Sequence, residues 1–237
     1  MLGAQGITEM HFLGDFGFVW TGAHGEARDL NTLDRELAAH SARALVTGGN
    51  HEGYDRWETI PVGPTGTRVV RDTVELLPRG WRAASPAGNV IASLGGANSI
   101  DMPDRIRAGD PYWPAEQITP DDLFALGEEP VDILLGHDAP VSAALRARLK
   151  PNEHLWDATG LAYAVRGQGM FHRGVQQVRP RLTVSGHYHL HLDAVETFQA
   201  GDGKSFECRT VILNSDGHEN AVAVLDTDTL RIEYLTR

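Results

Sequence analysis

Four short apolar runs in this sequence break at glycine and hand over to polar side chains. They are Leu13-Gly14-Asp15, Thr47-Gly48-Gly49-Asn50-His51-Glu52, Leu135-Gly136-His137-Asp138 and Ser185-Gly186-His187-Tyr188-His189. Imidazole nitrogens with carboxylate or amide oxygens, and no sulfur, suit Mn, Fe, Zn, Ni or Co. One histidine beside an apolar strand is an ordinary core or surface residue, and GNHE alone can be an Asx turn. Four such clusters at one edge call for a metal. Asp15, Asn50, His51, His137, His187 and His189 are the side chains at these ends that could take part. The Asp15 carboxylate can bridge two cations, and His187 and His189, two positions apart, can each reach a different one. A pair of cations roughly 3.5–4 Å apart generates a hydroxide nucleophile near neutral pH and clamps the oxygens of a phosphoryl group.

For these clusters to meet, the apolar runs must be strands whose carboxyl ends lie together, the edge at which open α/β sheets bind ligands. The runs Glu9 to Leu13, Val131 to Leu135 and Arg181 to Ser185, and the one opening at Ala44, have strand length, and their clusters converge if they are neighbours in one sheet. Asp29 to His40 carries Leu30, Leu33, Leu37 and Ala38 at helical spacing and completes a βαβ unit. Thr67 to Leu77 reads as antiparallel strands and Asn89 to Leu94 as another strand. A polar loop from Ala97 to Trp113 follows, with Ser99, Asp101, Arg105 and Arg107 able to line a pocket or hold a phosphate. Thr119 caps a helix that Pro120 begins. Ala139 to Arg148 and Asp157 to Val178 read as helices, the second weakened by four glycines. Alternating strands fill the tail. The expectation is an α/β protein forming a single domain over residues 1–237.

The chain has 237 residues and a net charge of −11, which argues against general affinity for nucleic-acid backbones or anionic membranes. Cys208 is the only cysteine, so no intrachain disulfide or thiolate cluster can form, and a cytoplasmic location is expected. The opening lacks the pattern of a signal peptide, and no apolar run approaches the roughly 18 residues of a membrane span.

In this order, GDFGF, GGNHE, LLGHDAP and SGHYH resemble the motif series of the calcineurin-like metallophosphoesterases, over about Glu9 to His189. The resemblance implies a sandwich of two mixed β-sheets flanked by helices, with a dinuclear site at the strand ends. It implies a metal-dependent phosphoesterase that hydrolyses a phosphomonoester or phosphodiester through a metal-activated hydroxide. Carried over residue by residue, it makes Asp15 the bridging ligand, Asn50, His137 and His187 ligands of the second metal, and His189 a ligand of the first. His51 then stands beside the metals, contacts the phosphate and protonates the leaving oxygen, a task that suits an imidazole. Glu52 and Asp138 support the ligands or shape turns. The expected partner is a small phosphoester, with a nucleotide among the candidates.

The family's first motif, an Asp with a His two positions later, has no counterpart among the fourteen residues before Asp15. His11 lies inside a strand already assigned. The chain is therefore expected to lack the family's first strand and most of its first helix, through a misplaced start rather than a true truncation, because a sheet missing a strand exposes an edge. On the chain as given, the first metal keeps Asp15 and His189, with His24 a remote substitute. A non-catalytic or weakly active binding module with a degraded first metal site is the alternative. A third reading, a metallo-β-lactamase-like hydrolase suggested by His187, His189, His191 and Asp193, fails because Ala194 stands where that motif needs a histidine.

Overall fold

The computed structural model describes residues 6–20, 26–110 and 114–235. It is an α/β structure of two mixed sheets flanked by helices. The first sheet contains β1 (Glu9–Leu13), β2 (Arg43–Thr47), β3 (Arg68–Arg71) and β4 (Val74–Leu77) in the order β1-β2-β4-β3. The first three in that order are parallel and β3 runs antiparallel at the edge. The second sheet holds β5 (Arg82–Ala84), β6 (Val90–Leu94), β7 (Ile133–Gly136), β8 (Leu182–Ser185), β9 (Leu192–Gln199) and β10 (Ser205–Ile212). Its order is β5-β6-β7-β8-β10-β9, with antiparallel strands at both edges of a parallel centre. A hairpin of β11 (Ala223–Asp226) and β12 (Arg231–Tyr234) completes the tail.

Side-chain alternation along each strand distributes the core. On β2, Ala44 and Val46 join Leu30 and Leu37 of α1 (Glu26–Ala39) in one apolar cluster. Thr47, of opposite parity, bonds Ser93 of β6 (Oγ to Oγ, 3.0 Å), a buried tie between the sheets. On the second sheet Ala92, Leu94 and Leu134 pack on helix residues Leu126, Phe171, Val175 and Val178, while Ile91, Ile133 and Leu135 face the other way with Leu13 of β1 and the tail hairpin. The helices of that layer are α4 (Pro120–Leu126) and α6 (Ala158–Val178). The glycines that weaken α6 as a helix let it approach closely. A Cβ at Gly160 would lie 2.0 Å from the Ile100 carbonyl oxygen, and one at Gly174 2.5 Å from Leu94.

Three expectations need correction. The four cluster-bearing strands lie as two adjacent pairs in two sheets, β1 beside β2 and β7 beside β8, rather than in one. The polar loop after β6 contains a helix, α3 (Met102–Ala108), with Pro103 in its first turn and Gly109 ending it at a left-handed φ of 74°. Helix α5 (Ala143–Leu149) starts later than Ala139, where Ser142 accepts a hydrogen bond from the Leu145 amide (3.1 Å), and a 3-10 turn follows over Lys150–Leu155. Strand β5 and the one-turn helix α2 (Tyr54–Trp57) lack the periodicity that would announce them. His24 and Trp113 lie outside the described residues.

Glu9 ties the first two strands together, accepting from Arg43 Nη2 at 2.6 Å and from His11 Nε2 at 2.7 Å. The His11 hydrogen bond, then Arg43, outweigh burial and hold its carboxyl down at about 2. Because the folded-state value is depressed, the stabilisation is complete above the ordinary carboxylate pKa of about 4.3 and is lost as pH falls through about 2. Urea denaturation of wild type and Glu9→Gln should therefore show a stability difference that narrows steadily as pH falls across that window. A gap independent of pH would contradict this.

Candidate metal centre

Each strand end supplies its group through the turn that follows. Beyond β1, Asp15 sits at φ 52°, and beyond β8, His187 and His189 sit at φ 69° and φ 50°. Left-handed backbone is uncommon outside glycine, although Asp and His adopt it more readily than most, and it is characteristic of places where surrounding structure dictates orientation. Glu52 holds two of the loops together: its buried carboxylate accepts from the amides of Phe16 (2.9 Å) and Gly49 (3.2 Å). Burial pushes its pKa up to about 7. Asp138 does the same between β7 and β8, accepting from Tyr188 Oη at 2.5 Å and the Ala139 amide at 2.8 Å, and burial raises it likewise to about 7.

Asp15, His137 and His187 come together with Asn50. Its Oδ1 lies 2.9 Å from His137 Nε2 and 3.1 Å from His187 Nδ1, and Asp15 Oδ1 is 3.4 Å from His137 Nε2. Among the described residues, no three His, Cys, Asp or Glu side chains alone form a metal-holding group. The convergence runs through an amide.

Proton positions follow from the partners. The Leu13 carbonyl, which can only accept, is 2.6 Å from His137 Nδ1, so Nδ1 carries a proton. Burial lowers the His137 pKa and leaves the ring neutral, so Nε2 presents a lone pair. Asn50 is oriented from the other side, where its Nδ2 donates to Ser99 Oγ at 2.9 Å. Ser99 in turn donates to Glu116 Oε2 at 2.7 Å and accepts from Arg105 Nη1 at 3.0 Å, so its oxygen can only accept from Asn50. Asn50 Oδ1 thus faces the lone pair of His137 Nε2 with no hydrogen between them. Two buried acceptors in that relation repel unless a cation stands with them.

Asp15 makes a similar demand. Burial works to raise its carboxyl, but His137, the His51 amide (3.1 Å) and the charges of His51 and His187 outweigh it and hold the carboxyl below its usual range. Burial, with His137 alongside, also drives His187 toward neutrality. A cation at this place would take over from the buried rings as the counter-charge of Asp15 and leave His137 and His187 neutral. A divalent cation fits this donor set, with hard oxygens and borderline nitrogens together.

His51 and His189 are exposed and line a cavity of about 830 Å³ together with Asp15, Asn50 and His187. Arg105 and Arg107 do not line it. Arg105 is buried against Ser99, and Arg107 pairs with Asp104 on its own helix. His191 and Asp193, considered for the β-lactamase-like alternative, are engaged elsewhere, by the Ile212 carbonyl (3.1 Å) and by Arg209 with Tyr234. Sequence reasoning placed Ser99 in a loop and gave no role to Glu116, which belongs to no motif; only their meeting with Asn50 reveals them. No family model and no curated protein matches the chain. No helix of the described residues is long and apolar enough to cross a membrane.

Proposed function

We propose that this protein is a metal-dependent phosphoesterase of the calcineurin-like metallophosphoesterase kind, acting on a phosphomonoester or phosphodiester. The observation that supports it is the buried lone pair of His137 Nε2 set against Asn50 Oδ1, with Asp15 and His187 alongside. Asn50, His137 and His187 would hold one divalent cation, and Asp15 and His189 would share in a second. Such cations, when bound, supply Lewis-acid stabilisation of a phosphoryl group and ready deprotonation of water at neutral pH. The chain's own side chains do the rest. Glu52 and Asp138 fix the loops, Leu13 and Ser99 fix His137 and Asn50, and His51 stands at the cavity to protonate the leaving oxygen.

A binding module with one metal is the second reading, because the resemblance leaves only Asp15 and His189 for a second cation. Metal analysis and turnover of bis(4-nitrophenyl) phosphate separate the two. Close to two metals per chain with hydrolysis supports the enzyme. One metal or none, without turnover after supplementation with Mn, Fe, Zn, Ni or Co, overturns it.

Ser99→Ala tests the metal assignment without touching a ligand. Loss of the hydroxyl frees the Asn50 amide to rotate and present NH2 to His137. Removal of an outer partner of this kind typically costs 10–100-fold in metal affinity, and isothermal titration with the metal should show a loss of roughly that size. Unchanged affinity would remove the network from the metal site.

A further inference from the structure

The cavity that opens on Asp15, Asn50 and His51 is much larger than a phosphoryl group needs. Its volume of about 830 Å³ falls in the range of sites that seat whole small molecules. The wall away from the candidate ligands is largely apolar. Helix α6 buries Phe171, Val175 and Val178 against the second sheet, and Leu161, Ala164 and Val165, three and four positions apart, form another stripe that lines the cavity. An amphipathic helix normally keeps its apolar stripe for the core. Here Val165 is 57% exposed and Trp156 45%, both lining the cavity that the candidate ligands share. Arg146 of α5 lines the same wall, and its guanidinium forms no ion pair with a described residue. Asp101 and Glu153 also line the cavity, which disfavours a densely anionic occupant. The indole of Trp156 and the guanidinium of Arg146 are each planar groups of a kind that stacks on aromatic rings.

Building on the phosphoesterase reading, we infer that this wall is the subsite for the organic part of the ester, and that this part is a flat aromatic ring, as in a nucleoside phosphate. The phosphate lies toward Asn50 and His51, and the ring lies on Trp156 with Leu161 and Val165 beneath it. Specificity then comes from the wall that α5 and α6 build, and the chemistry from the strand ends.

Calorimetric titration of the full chain, with and without added Mn, using adenosine 5′-monophosphate and ribose 5-phosphate as probes tests this directly. The ring-bearing phosphate should bind about tenfold more tightly, the size of one base-on-aromatic stack. Trp156→Ala should bring the two probes level, and Trp156→Phe should restore most of the difference. Equal affinities in the wild type, no binding of either probe, or a ring preference that survives Trp156→Ala would overturn the subsite. Ring preference without metal or turnover would support the subsite and sink the phosphoesterase reading, whereas turnover without ring preference would do the reverse.

Discussion

Replacing His51 by alanine should lower kcat by about 10²- to 10⁴-fold, the usual contribution of a positioned proton donor, while metal content stays at the wild-type level. The separation rests on geometry. His51 is exposed, and its only hydrogen bond to a described residue is from its backbone amide to Asp15, which alanine also provides. The substitution therefore removes an imidazole from the cavity and no hydrogen bond from the support of the ligands. Stability should change by no more than about 0.5 kcal/mol, as for exposed positions generally. His187→Ala, by contrast, takes away a nitrogen 3.1 Å from Asn50 Oδ1 and should lose metal and turnover together. Kinetics with an aryl phosphate diester, paired with metal analysis, distinguish the two variants. Equal kcat for wild type and His51→Ala would remove the proton-donor assignment.

Gly49→Ala should be severely damaging for so small a change. A Cβ at this position would stand 2.3 Å from Asp15 Oδ1, 2.4 Å from the Asp15 amide nitrogen and 3.0 Å from Gly14 Cα. These neighbours are backbone and a candidate ligand held at positive φ, so they cannot swing aside as a flexible side chain can. Overpacking of this kind costs about 1–3 kcal/mol, and moving a reacting group by about 1 Å costs roughly a hundredfold in rate. A lowered urea midpoint combined with a loss of activity of that order is the expected result. Gly169→Ala is the control: it lies within α6 with nothing within 4 Å of its would-be Cβ, and alanine there should stabilise by about 0.4–1 kcal/mol. If the two substitutions behave alike, close packing at Gly49 is not what the glycine serves.

Much of the α/β alternation is legible in the sequence because it is a local property. Short apolar runs ending in glycine mark β1, β2, β7 and β8, and the leucine spacing marks α1. Helix α3 was not legible, since four of the eight residues from Asp101 to Ala108 are charged and its start depends on Pro103 rather than on periodicity. Nor were the glycines of α6. Propensity counts them as defects, whereas the fold uses Gly160, Gly167 and Gly174 as the face that meets the segment from Leu94 to Ile100.

By itself, the sequence nominated the candidate residues: Asp15, Asn50, His51, His137, His187 and His189 stand out by type, order and their place after apolar runs. Tertiary structure alone decided how they face one another. Which way the Asn50 amide points depends on Ser99, forty-nine residues away, and on Glu116 beyond it; which His137 nitrogen is free depends on the carbonyl of Leu13, 124 residues away. Strand ends are set by neighbours along the chain, but a proton goes to whichever acceptor the fold brings within 3 Å, and that distance is not a local quantity.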